Sequence, residues 1–179
     1  IMLPTNCVCS RLPGTDGKAK MSKSLGNCIY LSDTSKEVKK KINSMYTDSG
    51  HLQITDPGKV EGNVVFTYLD AFCTDEHFAK FLPDYQNLEE MKAHYRRGGL
   101  GDGTCKKFLF NIMEDILQPI RERRHIYEQN IPQVYEILRK GSEVARAEAA
   151  RTLADVRKAM RIDYFDDPEL IREHTQKYS

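Results

Sequence analysis

The feature that most constrains the fold is the helical spacing of apolar residues, which begins near Thr34 and continues almost to the end of the chain. Thr34 and Glu37 fit the capping box that starts many helices, and the apolar residues after them recur three or four positions apart. Similar stripes begin near Val64, Thr74, Leu88, Thr104, Ile131, Ser142 and Asp167. The sequence therefore predicts a mainly α-helical fold, a bundle with a shared apolar core.

Two residues inside these stripes predict interruptions. Gly141 separates a stripe that starts at Ile131 from an Ala-rich one that starts at Ser142, so we expect two helices there. Pro119 lies within a long apolar stripe, and it should kink that helix because it removes a backbone donor and crowds the preceding turn. We thus expect a kinked helix followed by a helical hairpin.

Composition narrows the class of protein. The 179 residues are 40% apolar and 30% charged, which is typical of a globular chain that forms one domain, or one domain with the remnant of another. A formal net charge of +1 excludes a uniformly basic nucleic-acid coat, so any RNA contact must be a local patch. The chain has no long apolar run and no signal peptide, which predicts a cytoplasmic protein without a membrane segment.

The cysteines and histidines give no sign of a metal site. Five cysteines, an odd number, argue against a disulfide framework, and Cys7 and Cys9 are too close in sequence for a zinc knuckle. The five histidines are scattered singly along the chain. We therefore predict free thiols in a reducing compartment and no bound metal.

Ahead of the helices, a short polar stretch has the composition of an anion-binding loop. It consists of Lys20, Met21, Ser22, Lys23 and Ser24. With its two ammonium groups and two hydroxyls, such a loop can stabilise the negative charge that develops as a polyphosphate bond breaks. It is not a P-loop, and no G-x-G-x-x-G motif opens a helix in this chain. A solvated surface loop is the alternative for a stretch this basic and Ser-rich.

The same five residues match the KMSKS signature of class I aminoacyl-tRNA synthetases, and the resemblance continues along the chain. The other segments that carry it are residues 29–33, 61–63, 66–69, 94–102 and 119–124, including the letters RRGGLGD and PIRERR. With them, the chain resembles the C-terminal half of a bacterial-type tryptophanyl-tRNA synthetase. The second class I signature, a His-x-Gly-His element, does not occur here, which indicates a C-terminal fragment of a longer enzyme.

The resemblance implies two regions. Residues 1–33 would be the remnant of a Rossmann-like α/β catalytic domain that carries the KMSKS loop, and residues 34–179 would be a helical domain of the anticodon-binding type. A strand is expected around residues 7–12, and the backbone of Leu12 at its end would approach the adenine of ATP.

By the same resemblance, the parent enzyme would activate tryptophan with ATP and Mg²⁺, release pyrophosphate and charge the tryptophan tRNA, and it would act as a homodimer. Lys20 and Lys23 would be the catalytic residues, because they would bind the pyrophosphate as its charge develops. The ATP-binding residues would be Leu12, Lys20, Met21, Ser22, Lys23 and Ser24. The fragment alone would lack half of the ATP site and would only bind tRNA.

Basic residues of the helical region are candidates for tRNA contacts. They are Lys39, Lys40, Arg96, Arg97, Lys106, Lys107, Arg121 and Arg124. Three of these four pairs have a structural alternative. The first two lysines could form a solvated helix face, the arginine pair before Gly98 could complement a helix dipole, and the last two arginines could form ion pairs.

Two other interpretations stay open. The tyrosyl branch of the same class shares the KMSKS loop, although the RRGGLGD and PIRERR segments resemble the tryptophanyl enzymes. Alternatively, the chain is a stand-alone tRNA-binding module without catalysis. Binding to tryptophan tRNA in preference to tyrosine tRNA would distinguish the two synthetase branches.

Overall fold

A computed structural model describes residues 12–18 and 20–179, and these residues are mainly helical. The helices are α1 (Ser35–Asn43), α2 (Val64–Phe72), α3 (Asp75–Phe81), α4 (Leu88–Arg97), α5 (Asp102–Glu128), α6 (Ile131–Ala159) and α7 (Pro168–Tyr178). The described residues contain no strand, only an isolated antiparallel bridge between Pro13 and Lys20. The prediction of a mainly α-helical fold is confirmed, whereas most of the strand expected around residues 7–12 lies outside the described residues.

The chain divides into two compact units after Arg123. The first unit contains helices α1 to α4 and most of α5, and the second comprises Arg124–Ser179. The boundary expected after residue 33 is a different kind of division, because it separates the remnant of a catalytic domain from a helical domain by resemblance to a family, and not by compactness. It stays a prediction.

Several helices begin where the capping residues predict. At the start of α1, the Thr34 hydroxyl accepts a hydrogen bond from the Glu37 N–H at 3.3 Å, and the Glu37 carboxylate accepts one from the Thr34 N–H at 2.7 Å. At the start of α7, the Asp167 carboxylate accepts from two backbone N–H groups, and Pro168 takes the first helical position. Both arrangements satisfy donors that the first turn of a helix leaves without partners.

The core of the first unit is formed by one face of each of its helices. Its aromatic side chains pack in tilted pairs, with ring centroids 4.8 Å apart for Phe66 and Tyr95 and 4.7 Å apart for Phe78 and Phe108. Other fully buried members are Val38, Ile42, Leu69, Met91, Leu109 and Ile112. This core holds α1 and α2 in place, and these are the first two helices after the polar loop in sequence.

Helix α5 starts at Asp102, two residues before the predicted start, and continues through Pro119 to Glu128. Pro119 cannot donate a backbone hydrogen bond, so the turn before it has one bond fewer than a regular helix. The kink expected there stays a prediction.

The interpretation of Gly141 as a helix end is wrong. Helix α6 runs without interruption from Ile131 to Ala159, and Gly141 lies inside it. Arg139 bridges this position, since its guanidinium donates to Glu136 at 2.8 Å and to Glu143 at 2.6 Å. A glycine inside a helix costs only about 1 kcal/mol relative to alanine, so two ion pairs and the good helix formers around it outweigh the cost.

Three cysteines fall within the described residues, and all three are free thiols: Cys28, Cys73 and Cys105. Burial raises the pKa of the Cys105 thiol to about 12. Among the described residues, no helix is long and apolar enough to cross a membrane. The same part of the chain contains no group of three or more side chains arranged to hold a metal ion.

Candidate functional site

The polar stretch forms a closed loop, which we call the lysine loop (residues 20–26). The bridge between Pro13 and Lys20 brings its start against the preceding chain, and the Met21 N–H donates to the Leu12 carbonyl at 3.4 Å. The Gly26 N–H donates to the Lys23 carbonyl at 3.1 Å, which closes the turn at the other side. Gly26 has a φ of +64°, a left-handed conformation that glycine adopts without strain.

The side chains of the lysine loop point in two directions. Met21 is half-buried and packs against the apolar core of the first unit, whereas Lys20 and Lys23 are exposed. The Ser22 and Ser24 hydroxyls lie 2.9 Å apart and hydrogen-bond to each other. The alternation therefore anchors the loop through one apolar side chain and leaves two ammonium groups available to an anion.

Asn27 closes the loop, and it is a candidate residue that the sequence analysis did not include among the site residues. Its side chain is buried, its Oδ1 accepts from the Ser22 N–H at 2.8 Å, and its Nδ2 donates to the Lys20 carbonyl at 3.3 Å. The Nδ2 also donates to both carboxylate oxygens of Asp16, at 3.1 and 3.2 Å. The sequence signal was an asparagine directly after the Leu-Gly turn of the loop, but its partner Asp16 lies 11 positions away.

Helix α2 fastens the base of the loop to the core. The Tyr68 hydroxyl donates to the Pro13 carbonyl at 2.8 Å. Burial raises the pKa of Tyr68 far above its ordinary value, so this hydroxyl stays protonated and remains a donor. A change at Tyr68 would thus reach the loop through Pro13, which forms the bridge with Lys20.

The candidate lysines of α1 are exposed. Lys39 lies over the ring of Phe110, with 5.9 Å between its Nζ and the ring centroid, and Lys40 lies beside it on the outer surface. Lys41, which is not among the candidate tRNA residues, pairs with the buried carboxylate of Asp33 just before the helix. The two candidate lysines of this helix therefore face solvent, whereas Lys41 fixes the start of the helix.

Of the candidate residues near Gly98 and at the start of α5, two have hydrogen-bond partners within the protein and the other two are exposed. Arg96 pairs with Glu61 at 2.7 Å, and this hydrogen bond lowers the pKa of the Glu61 carboxyl. Lys106 donates to the Asn43 carbonyl at the end of α1, at 2.9 Å. Arg97 is exposed and lines a surface cavity of about 460 Å³, and Lys107 is exposed on α5.

Arg121 has the structural partners that the ion-pair alternative predicted. Its guanidinium donates to the two carboxylate oxygens of Glu114, at 3.0 and 2.7 Å, and its Nε donates to the Asp33 carbonyl at 2.8 Å. Arg124 forms a single ion pair with Glu128, one turn further along the same helix, and the side chains of both residues are exposed. The structure thus brings Lys20 and Lys23 together on one loop and distributes the tRNA candidates over α1, α4 and α5.

Comparison with known proteins gives consistent results. The family described as tRNA synthetases class I (W and Y) matches residues 2–118. The tryptophan–tRNA ligase of Clostridium longisporum is 57% identical over 157 residues, which are 88% of this chain and 43% of that protein. The corresponding ligase of Streptococcus mutans is 52% identical over 162 residues, 90% of this chain and 46% of that protein.

A solved structure agrees with these relatives. The tryptophanyl-tRNA synthetase of Campylobacter jejuni, in complex with ADP and tryptophan, superposes with a TM-score of 0.65 at 29% identity, over 84% of this chain and 43% of that one. The predicted resemblance to the tryptophanyl type of synthetase is confirmed. The chain spans less than half the length of the curated relatives reported above.

Proposed function

Because this chain belongs to the tRNA synthetases of class I (W and Y), we propose that it forms part of an ATP-dependent tryptophan–tRNA ligase. The observation that carries the proposal is the lysine loop, which presents Lys20 and Lys23 to solvent on a backbone closed by internal hydrogen bonds. The tryptophanyl names of the relatives favour this branch over the tyrosyl alternative.

In the proposed reaction, the carboxylate of tryptophan attacks the α-phosphate of ATP, and pyrophosphate leaves as its negative charge grows. Lys20 and Lys23 bind that pyrophosphate, while Ser22 and Ser24 donate hydrogen bonds and Met21 anchors the loop. A unit charge 4 Å from an ammonium gains about 4 kcal/mol near a protein surface, compared with about 1 kcal/mol in bulk water. Since this gain is larger for the leaving pyrophosphate than for bound ATP, it accelerates the reaction.

The remaining parts of the proposal rest on the family. ATP enters with Mg²⁺ and approaches the backbone of Leu12, in a Rossmann-like domain of which residues 1–33 are the last part. The complete ligase is a homodimer. This chain alone contains the loop but no His-x-Gly-His element, so we propose that it binds tRNA without charging it.

For the tRNA surface, we propose the exposed lysines of α1 and α5 together with Arg97 as the main contacts. These side chains are Lys39, Lys40, Arg97 and Lys107. Arg96, Lys106 and Arg124 are candidates of second rank, because each would exchange a partner within the protein for a phosphate. Arg121 ranks last, since its donors already contact Glu114 and the Asp33 carbonyl.

The test is a titration of this chain with tryptophan tRNA, tyrosine tRNA and an unrelated tRNA at two salt concentrations. Preference for tryptophan tRNA would support recognition by this chain. Equal, steeply salt-dependent binding to all three would mean that the chain contacts only phosphates and that specificity lies elsewhere in the ligase. Absence of binding to any tRNA would refute the binding role.

A further inference from the structure

The side chain of Asn27 occupies a fitted slot at the base of the lysine loop. Only 4% of the residue is exposed, and its backbone carbonyl accepts from the Thr15 N–H at 2.9 Å. A Cβ added to Gly14 would lie 2.1 Å from the Asn27 Nδ2, so only glycine leaves room for the amide. The surroundings of Asn27 thus fix both its backbone and its side chain.

Asp16 determines which way the amide faces. An ionised carboxylate only accepts hydrogen bonds, so the NH₂ group of Asn27 must point at the two Asp16 oxygens. The amide oxygen then faces the opposite way and accepts from the Ser22 N–H. The orientation is therefore set by charge, and an amide turned by 180° would place oxygen against oxygen.

The two loop groups that Asn27 holds lie on either side of Met21. Asn27 accepts from the N–H of Ser22 and donates to the carbonyl of Lys20, and both of these residues belong to the proposed anion-binding stretch. A loop that is already ordered loses less conformational entropy when an anion binds, and its ammonium groups stay at a fixed separation.

We propose that Asn27, oriented by Asp16, is a positioning residue that keeps the lysine loop closed in the form in which Lys20 and Lys23 bind a polyphosphate. The proposal rests on the polyphosphate role of the loop given above, and it adds the pair of residues that prepares the loop for it. Neither Asn27 nor Asp16 contacts the anion in this scheme, because the Asn27 amide is occupied by the loop backbone and by Asp16.

The probe is inorganic pyrophosphate, titrated into the ¹⁵N-labelled chain at pH 7.5 while the backbone signals of residues 20–26 are followed. Asn27→Asp places a second carboxylate against Asp16 and should weaken binding at least tenfold. Asp16→Ala is the decisive variant, because removing a negative charge near two lysines would by itself tighten binding. We expect at least threefold weaker binding instead, since the amide loses the partner that orients it.

A charge exchange tests the contact itself. The double variant Asp16→Asn/Asn27→Asp restores one amide against one carboxylate at unchanged net charge, and it should recover part of the affinity lost in Asn27→Asp; the recovery is partial because a carboxylate at position 27 cannot donate to the Lys20 carbonyl. Asn43→Asp, at the exposed end of α1, adds the same charge as Asn27→Asp and should bind pyrophosphate within twofold of the wild type.

The outcomes separate this proposal from the proposed function. If the wild-type chain shows no pyrophosphate-dependent shifts in the loop, the polyphosphate role fails and the positioning role fails with it. If the wild type binds but Asp16→Ala binds as tightly or more tightly, only the positioning role is overturned. An exchange variant that stays as weak as Asn27→Asp would overturn it as well, because the loss would then be an effect of the new charge at position 27.

Discussion

Replacement of Arg121 by methionine should destabilise the first unit by about 2 kcal/mol. Its guanidinium donates two hydrogen bonds to the carboxylate of Glu114, two turns earlier on α5, and one to the Asp33 carbonyl just before α1. Only 17% of the Arg121 side chain and 22% of the Glu114 side chain are exposed. Methionine keeps most of the apolar stem and removes every donor.

The size of this destabilisation depends on how exposed the Arg121–Glu114 ion pair is to water. Breaking a fully buried ion pair costs about 3–5 kcal/mol, because an uncompensated charge stays inside the protein. Exposed pairs contribute roughly 0.2–1 kcal/mol, because water replaces the lost partner. With about a fifth of each side chain exposed, the Arg121–Glu114 pair lies between these limits, and about 2 kcal/mol is the expected loss.

The loss of stability in Arg121→Met should depend on pH. The hydrogen bond from Arg121 is the main cause that lowers the pKa of the Glu114 carboxyl below its ordinary value of 4.5. A carboxylate whose pKa is lowered by folding stabilises the protein above its unfolded pKa, and that contribution is lost as the pH falls through the folded value. The difference between wild type and Arg121→Met should therefore be complete at pH 7 and shrink below about pH 4.5.

The assay is urea unfolding at pH 7 and pH 3.5, followed through NMR signals of core residues in the first unit. Arg96→Met is the matched control, since Arg96 forms an exposed pair with Glu61 in the same unit and its loss should cost less than about 1 kcal/mol. A loss below about 0.5 kcal/mol for Arg121→Met at pH 7, or a loss that does not shrink at pH 3.5, would refute the reasoning.

Three further predictions concern the loop, the tRNA surface and α6. Lys23→Ala, made in a chimera in which this chain replaces the matching part of the Clostridium longisporum ligase, should reduce tryptophan-dependent pyrophosphate exchange at least tenfold; unchanged turnover would contradict the catalytic role. Replacing Arg96 and Arg97 together by alanine should weaken tRNA binding and flatten its salt dependence without changing that exchange rate, whereas unchanged affinity would leave them as helix-capping residues. Gly141→Ala should stabilise the second unit against urea by about 0.5–1 kcal/mol, because a Cβ there meets nothing and the helix loses its most flexible residue. Gly62→Ala is its control: a Cβ there also meets nothing, but the φ of +79° makes alanine destabilising, so equal effects would be inconsistent with this account.

The starts of the helices could be predicted because their determinants are local. Thr34 contacts Glu37 three positions later, and Asp167 contacts the N–H groups of the next turn, so both signals are complete within one short segment. The end of a helix at glycine is different, because it requires a positive φ that the rest of the protein must favour. Gly141 has no such requirement, and the ion pairs of Arg139 favour continuation.

The candidate site was only partly predictable for a related reason. Lys20 and Lys23 stand out because their letters match a family signature, whereas Asn27 acts through a partner 11 positions away. The partners of the basic residues are farther still, 88 positions for the Asp33 carbonyl bound by Arg121 and 63 for the Asn43 carbonyl bound by Lys106. No periodicity or spacing in the sequence contains such contacts, so only the fold separates basic residues that hold it together from those that face solvent.

The chemistry of arginine and lysine suits the positions of four of the candidate residues. Arg96 contacts the carboxylate of Glu61, and Arg121 contacts that of Glu114 two turns earlier on α5, a task that suits the planar fork of the guanidinium. Lys20 and Lys23 stay in solvent, where a compact charge on a flexible stem can follow a phosphate as it moves from substrate to product. The net charge of +1 is a sum over the whole chain, so it includes both the paired arginines and the exposed lysines. A nearly neutral chain can therefore carry two exposed lysines on one loop, because acidic residues elsewhere in the chain balance the total charge.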